Sequence, residues 1–395
     1  MNHLALHMMV KNEEKNIIIT INSVKNVVDS VIIYDTGSTD NTLQIIETFC
    51  IQNNLPFHLL KKDDTSSFTD FSTERNIGLD FVDSINGIDW VLSMDGCDEL
   101  KLNVSANKLK TILSKLENNS CLICQEWLFN GATDKYYNNR LFRPKNGLRY
   151  EGVVHEVLVS SQGHDILKED ILTLFQDRHL DIEKSKPRYI RDRHLLLGYL
   201  RTNPEDPRSL FYLAQTCSSI GDACMHEEAY FYYKQRIKYE GFLEEKFHAY
   251  LRLGDVAYLL NMPWEERLKW YMKAFEFMKR IEPIIMIADY YSSINEYKLS
   301  YHFLKIAIEL PYPEKAILFV NNSMYTYYKW FILAKVCLAL SRQLSRQLSR
   351  EVSHGTENEV DRSYWEEGKR AAQICFDSKF RPEIDRNLLQ EYSTL

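Results

Sequence analysis

The feature that most limits how this chain can fold is a change of pattern near residue 180. Before it, short β-rich runs alternate with helical patterns; after it the strands stop and the periodicity is helical. The first run, His3 to Val10, is almost continuously apolar, as suits a strand buried on both faces of a parallel sheet. Asn12 is placed to cap a helix with Glu13 and Glu14 in its first turn and an apolar stripe of Ile17, Ile18, Ile21, Val24 and Val28. Val31 to Tyr34, Phe57 to Leu60 and Trp90 to Met94 read as further strands. Helices through Leu43, Ile46 and Phe49, and from near Ser72, fall between them. This alternation predicts an α/β domain built on a doubly wound sheet.

From Arg188 onwards the spacing is helical and rich in tyrosine. Leu210, Leu213, Ala214, Cys217 and Gly221, then Ala229 and Tyr233, fit a tetratricopeptide repeat if the inter-helix turn holds extra residues around Ala223 to His226. Leu253, Gly254, Ala257, Trp270 and Ala274 give a second helix pair. Ala288, Tyr291, Tyr301 and Ala307, ending at Pro311 and Pro313, give a third. An irregular helical domain is the plainer alternative. A chain of 395 residues is too long for one ordinary core. The expected division is residues 1–183 for the α/β domain and 184–395 for an all-α helical-repeat domain. The tetrad written twice at Ser341 to Leu348 is read as a surface connection leading to a polar linker, Ser353 to Asp361, although Leu340, Leu344 and Leu348 would also suit a continued helix. The repeats are expected to offer a concave surface for a peptide or an extended glycan, with tyrosines serving packing more than ligand stacking.

Composition removes several classes. A net charge of -7 argues against a nucleic-acid binder, which would carry a basic face. No segment of about eighteen apolar residues is present, and the short N-terminal apolar run is followed, not preceded, by Lys11, so a soluble cytoplasmic protein is expected. The eight cysteines are scattered. Cys121 and Cys124 lie three apart on a strand-like run, where they point to opposite faces and make poor partners for one metal. No Gly-x-Gly-x-x-Gly or Gly-Lys-Ser/Thr loop occurs, which sets aside dinucleotide and P-loop enzymes.

The polar signals fall at the carboxyl ends of the expected strands, where open α/β sheets bind ligands. Lys11-Asn12-Glu13-Glu14 follows the first strand, Asp35-Thr36-Gly37-Ser38-Thr39-Asp40 the second, and Asp95-Gly96-Cys97-Asp98-Glu99 the fourth. Three carboxylates within that last turn repel one another unless a cation sits between them. Asp95 and Asp98 supply hard oxygen ligands of the kind Mg²⁺ or Mn²⁺ shares with substrate phosphate, which would reconcile an acidic protein with an anionic diphosphate. Arg75, expected in the first turn of its helix, would complete an anion site there.

These stretches also resemble a known family. Met9-Val10-Lys11-Asn12-Glu13-Glu14 and Asp35-Thr36-Gly37-Ser38-Thr39-Asp40-Asn41-Thr42 look like the opening of the family 2 glycosyltransferases of the GT-A fold. Phe71-Ser72-Thr73-Glu74-Arg75-Asn76, Asp89 to Asp95, Arg140-Leu141-Phe142-Arg143 and Tyr150-Glu151-Gly152-Val153-Val154-His155-Glu156 resemble its later segments. Asp206 to Gln215 and Glu309 to Pro313 resemble the repeats found behind such domains.

The resemblance implies an inverting transfer of a hexose from a UDP-sugar to a protein, peptide or glycan acceptor. By position it places Val10, Asn12, Glu13 and Asp35 at the base and ribose, and Arg75 at the base or diphosphate. Asp95 would face the ribose or sugar, and Asp98 with His155 would hold Mn²⁺ or Mg²⁺. Glu151 is the favoured catalytic base, with Glu156 and Glu126 as alternatives. One departure stands out: the family's Asp-x-Asp-Glu is one residue longer here, Asp95-Gly96-Cys97-Asp98-Glu99, with Gly96 available to absorb the bulge. That departure leaves a rival reading, a catalytically silent scaffold in which the sugar-nucleotide domain serves the repeats.

Overall fold

The computed structural model describes residues 2–63, 68–129, 132–159, 163–167, 171–177, 182–351, 359–378 and 392. The chain divides into two compact units, residues 1–128 with 135–204, and 129–134 with 205–395. The sequence expectation put the division at 183/184; α5 (Ile182–Leu200) here counts with the first unit.

The first unit opens with β1 (Leu4–Val10), α1 (Ile17–Val24), β2 (Ser30–Asp35), α2 (Thr42–Gln52), β3 (Phe57–Lys61), α3 (Phe71–Ser84) and β4 (Trp90–Ser93). It continues through β5 (Glu99–Leu102), α4 (Ala106–Leu113), β6 (Ser120–Phe129), β7 (Ala132–Phe142), β8 (Arg149–Glu151), β9 (Val157–Val159), β10 (Asp165–Ile166) and β11 (Leu172–Asp177). The sheet order is β3-β2-β1-β4-β7-β6-β11-β5. β3, β2, β1 and β4 are parallel, which the βαβ connections demand. β7 then enters antiparallel to β4, pairing Val91 with Phe142, so the sheet is mixed instead of wholly parallel.

Side-chain alternation along the central strands feeds two cores. Leu4, Leu6, Met8, Val31 and Ile33 pack with Ile17, Ile21, Ile46, Phe49 and Leu109 from α1, α2 and α4. Ala5, Ile32 and Val91 pack with Leu79 and Val82 of α3 on the opposite face. Each fully buried aliphatic side chain of this kind contributes about 1.5–3 kcal/mol, so both helix layers are fixed by the strands they cover. Cys121 and Cys124 are both buried on β6, and only Cys121 joins the first of these cores.

Several local expectations are revised. Asn12 does not cap α1: the helix starts at Ile17 with Asn16 at its N-cap, and Asn12 has a left-handed φ of 55°. The N-cap of α3 is Asp70, whose carboxylate accepts from Thr73 N, so Arg75 is the fifth helical residue, beyond the first turn. Glu126 lies inside β6, half-buried, not after it.

The second unit is a succession of helices. α6 (Pro207–Ile220) packs on α7 (Ala223–Arg236), α8 (Leu243–Leu259) on α9 (Trp264–Phe277), and α10 (Ile281–Ser293) on α11 (Tyr297–Glu309). After a short strand, β12 (Val320–Asn321), and a π-helical turn, Met324–Tyr328, α12 (Lys329–Glu351) packs on α13 (Glu359–Asp377). Leu210, Leu213, Ala214, Cys217, Ala229 and Tyr233 are all buried at the first pair, as tetratricopeptide spacing requires. The extra residues Ala223 to His226 lengthen the start of α7 and leave only Gly221 and Asp222 in the turn. Gly254 lets α8 and α9 meet: a Cβ there would lie 2.3 Å from Tyr271 Cε1. Tyr233, Tyr271 and Tyr327 are buried, which makes them packing residues. The repeated tetrad Ser341 to Leu348 lies within α12, so the four-residue leucine spacing extends a helix and is not a surface connection. The expected linker Ser353 to Asp361 falls mostly outside the described residues. No helix among the described residues is long and apolar enough to cross a membrane.

Candidate active site

The loops after β1 and β2 are tied into one wall by side chains that replace missing backbone partners. Asn12 N donates to Ser38 Oγ at 3.1 Å, and Asn12 Oδ1 accepts from Thr39 N at 2.7 Å. Glu13 N donates to Thr42 Oγ1, and Glu14 N to Asp40 Oδ2. Val10, 2% exposed at the end of β1, accepts from Thr36 N at 3.0 Å. Asp35 closes the turn from below: its carboxylate accepts from Ser38 N and, at 2.6 Å, from Ser38 Oγ. Gly37, with φ 103°, supplies a conformation that other residues reach only with strain. Val10, Asn12, Glu13 and Asp35 are therefore brought together, with Asp35 committed to shaping the turn.

The acidic turn after β4 lies against that wall. A Cβ on Gly96 would stand 2.7 Å from Glu13 Cγ, so glycine serves here as clearance for Glu13, not as a left-handed hinge. Asp95 is gripped by two arginines. Arg75 Nη2 donates to Oδ1 at 2.7 Å, and Arg140 Nη2 donates to Oδ2 at 2.7 Å. Arg75 Nε reaches Glu156, closing a chain Glu156–Arg75–Asp95–Arg140. Burial acts to raise the Asp95 pKa, but Arg140 and Arg75 outweigh it and hold the carboxyl well below its usual range. α3 is the part that positions this cluster. Besides Arg75, its Asn76 exchanges two hydrogen bonds with Tyr150, and Phe71 N donates to Val153 O, which fixes the turn carrying residues 150–156.

Of the predicted residues, Arg75, Asp95 and Glu156 converge in this cluster. Glu151 is exposed at the end of β8. His155 is exposed on the following turn with a left-handed φ of 50°. Asp98 behaves differently from a metal ligand. It is fully buried, its Oδ2 accepts from Asp95 N at 2.8 Å, and its Oδ1 accepts from Gln125 Nε2 at 3.1 Å and Gln176 Nε2 at 2.6 Å. Among the described residues no group of three or more His, Cys, Asp or Glu side chains is arranged to hold a metal ion. Three N–H donors thus already occupy Asp98, which the resemblance assigned with His155 to Mn²⁺ or Mg²⁺. Burial and the neighbouring Asp95 push the Asp98 pKa up to about 6.

Arg140 is a site residue that sequence reasoning placed in a motif but gave no role. The signal was its paired-arginine motif; the contact that defines it crosses from β7 to the end of β4. Gln125 and Gln176 carried no signal, because a lone glutamine on a strand looks like any other half-buried polar residue.

Comparison with known proteins agrees with this geometry. Residues 6–156 match the family model described as Glycosyl transferase family 2. A glycosyltransferase of Bacillus subtilis, the prophage-derived SunS, is 27% identical over 246 residues, 60% of this chain and 54% of that protein. An uncharacterized glycosyltransferase of Rickettsia typhi is 33% identical over 100 residues, 25% of this chain and 30% of that protein. The chain thus spans about half the length, or less, of the curated relatives it matches. The solved TarS fragment 1–349 of S. aureus in complex with UDP shares 16% identity, the match covering 64% of this chain and 80% of that one, at a TM-score of 0.32. Residues 6–156 of the first unit are thus similar to glycosyl transferase family 2.

Proposed function

We propose that this chain transfers a hexose from a UDP-sugar to a protein, peptide or glycan acceptor in one inverting displacement. The observation that carries the reading is the Glu156–Arg75–Asp95–Arg140 chain at the carboxyl ends of β1, β2 and β4, in a domain that matches the family. The wall formed by Val10, Asn12, Glu13 and the Asp35 turn is suited to a nucleoside. Asp95, with its side chain 30% exposed and both arginines behind it, presents a rigid acceptor to ribose or sugar hydroxyls. In the transfer, the acceptor nucleophile bonds to the anomeric carbon as the bond to the diphosphate oxygen breaks, and UDP leaves with that electron pair. The acceptor proton passes to a carboxylate. Glu151 is the base in this reading, because it is exposed while the Glu156 carboxylate is already engaged by Arg75 Nε. Arg75 and Arg140 supply fixed positive charge near the departing anion. The helical repeats of the second unit hold the acceptor.

The test is release of UDP or GDP from a panel of sugar nucleotides, with and without acceptor candidates. Turnover of one UDP-sugar, lost in Glu151→Gln with UDP binding retained, is the expected result. Binding of UDP without turnover of any donor would instead support the silent scaffold. No binding of any nucleotide would remove the reading altogether.

A further inference from the structure

We infer that Asp98 is a buried strut of the acidic turn and holds no divalent cation. This inference deepens the proposed function, since it concerns how a leaving diphosphate is met, but its structural basis is independent of it. A carboxylate offers about four lone-pair directions. At Asp98, three are taken by N–H donors: the Asp95 amide on Oδ2, and the side-chain amides of Gln125 and Gln176 on Oδ1. The residue is 0% exposed. Mg²⁺ and Mn²⁺ need open lone pairs, and Mg²⁺ usually keeps several waters. A cation on Asp98 would instead face the positive ends of three N–H dipoles in a space closed to water.

The amide orientations are themselves fixed. Tyr136 Oη donates to Gln125 Oε1 at 2.6 Å, which turns the Gln125 amide nitrogen towards Asp98. Gln176 reaches from β11 and also contacts Cys97 Sγ at 3.5 Å. β6, β11 and the turn after β4 are thereby bolted together through one carboxylate. Asp98 N donates to Asp95 O at 3.0 Å while the Asp98 side chain returns to Asp95 N, so the turn closes on itself in both directions. This is where the additional residue of the motif is spent: Asp98 faces the interior, and the exposed residue of the turn is Cys97. Charge for a diphosphate is then left to Arg75 and Arg140. Arg75 Nη1 is buried without a hydrogen-bond partner.

The experiment is calorimetric titration of Mn²⁺ alone, and of UDP with Mn²⁺ or chelator, into the full chain and into Asp98→Asn, with thermal melts to establish folding. The expected result is the same Mn²⁺ isotherm in both proteins and a UDP affinity that changes by less than about twofold between Mn²⁺ and chelator. Gln176→Leu is expected to lower the Tm without altering the Mn²⁺ response. A loss of Mn²⁺ affinity of about tenfold or more in folded Asp98→Asn would overturn the inference. Should Asp98→Asn fail to fold, crystals of the unmodified chain soaked in Mn²⁺ and UDP decide: an Asp98 oxygen at about 2.0–2.2 Å from the metal overturns it, and an unligated Asp98 upholds it. If UDP does not bind at all, the glycosyltransferase reading fails while the Mn²⁺ comparison still answers this question.

Discussion

Arg140→Met is the perturbation that tests the architecture of the site most directly. The substitution keeps roughly the length of the side chain and removes a guanidinium whose Nη2 donates to Asp95 Oδ2 at 2.7 Å and whose Nη1 lies 3.4 Å from Oδ1. The shorter contact is a charge-assisted bond worth about 1.5–3 kcal/mol, and the longer one adds little. Breaking a fully buried pair costs about 3–5 kcal/mol. Asp95 is 30% exposed in its side chain and retains Arg75, so part of its charge stays solvated and paired. Together these bounds give about 2–3 kcal/mol for Arg140→Met. A chain with two compact units is unsuited to a single global unfolding free energy. Hydrogen exchange of the β4 and β7 peptides is the better assay, because it reads local opening. Protection there should fall by about 30- to 150-fold, the equivalent of that energy, while the helices of the second unit are unchanged. In a cycle with Asp95→Asn, the two changes should couple by at least about 1 kcal/mol. Coupling below about 0.5 kcal/mol, with unaltered exchange in β4 and β7, would refute the claim that Arg140 and Asp95 act as a unit.

Three further outcomes are expected. Asp95 is held low and Asp98 is raised to about 6 from 3.8, so their pH effects have opposite signs. The Asp95 contribution is present above about pH 4 and lost as pH falls below it, whereas the Asp98 contribution is present below about pH 4 and lost by about pH 6, at most about 3 kcal/mol. Melts of the first unit should show the upper slope in the parent and not in Asp98→Asn; an identical slope in both would contradict it. Gly254→Ala gains about 1 kcal/mol of helix propensity, but its Cβ would meet the buried Tyr271 ring at 2.3 Å, and overpacking of about 1–3 kcal/mol should prevail, seen as a lower Tm. Glu244→Ala leaves the Ile317 and Leu318 N–H groups without their acceptor, at a cost of about 1–3 kcal/mol each, and should accelerate trypsin cleavage after exposed Lys315.

Sequence alone determined the order and type of the main elements. A continuous apolar run can be satisfied only by burial on both faces, as in β1 and β2, and three- and four-residue spacing of Leu210, Leu213, Ala214 and Cys217 can be satisfied only on a helix. The polar turns after β1, β2 and β4 were legible for the same reason: short clusters of Asp, Asn, Gly and Ser interrupt those runs where the sheet ends. Arg75 and Glu156 were legible as motif residues. What the sequence could not determine was which of these groups face one another. Asn12 was read as a cap from its local position, yet a contact with Thr39, 27 residues away, holds it in a left-handed turn. Asp95 and Asp98 look equivalent as neighbouring carboxylates. Only the tertiary structure separates them, because two arginines from α3 and β7 reach Asp95 while two glutamines from β6 and β11 enclose Asp98. Local sequence sets backbone preferences and burial patterns, but the state of a charge depends on every group the fold brings within a few ångströms of it, and those groups are distant in the chain.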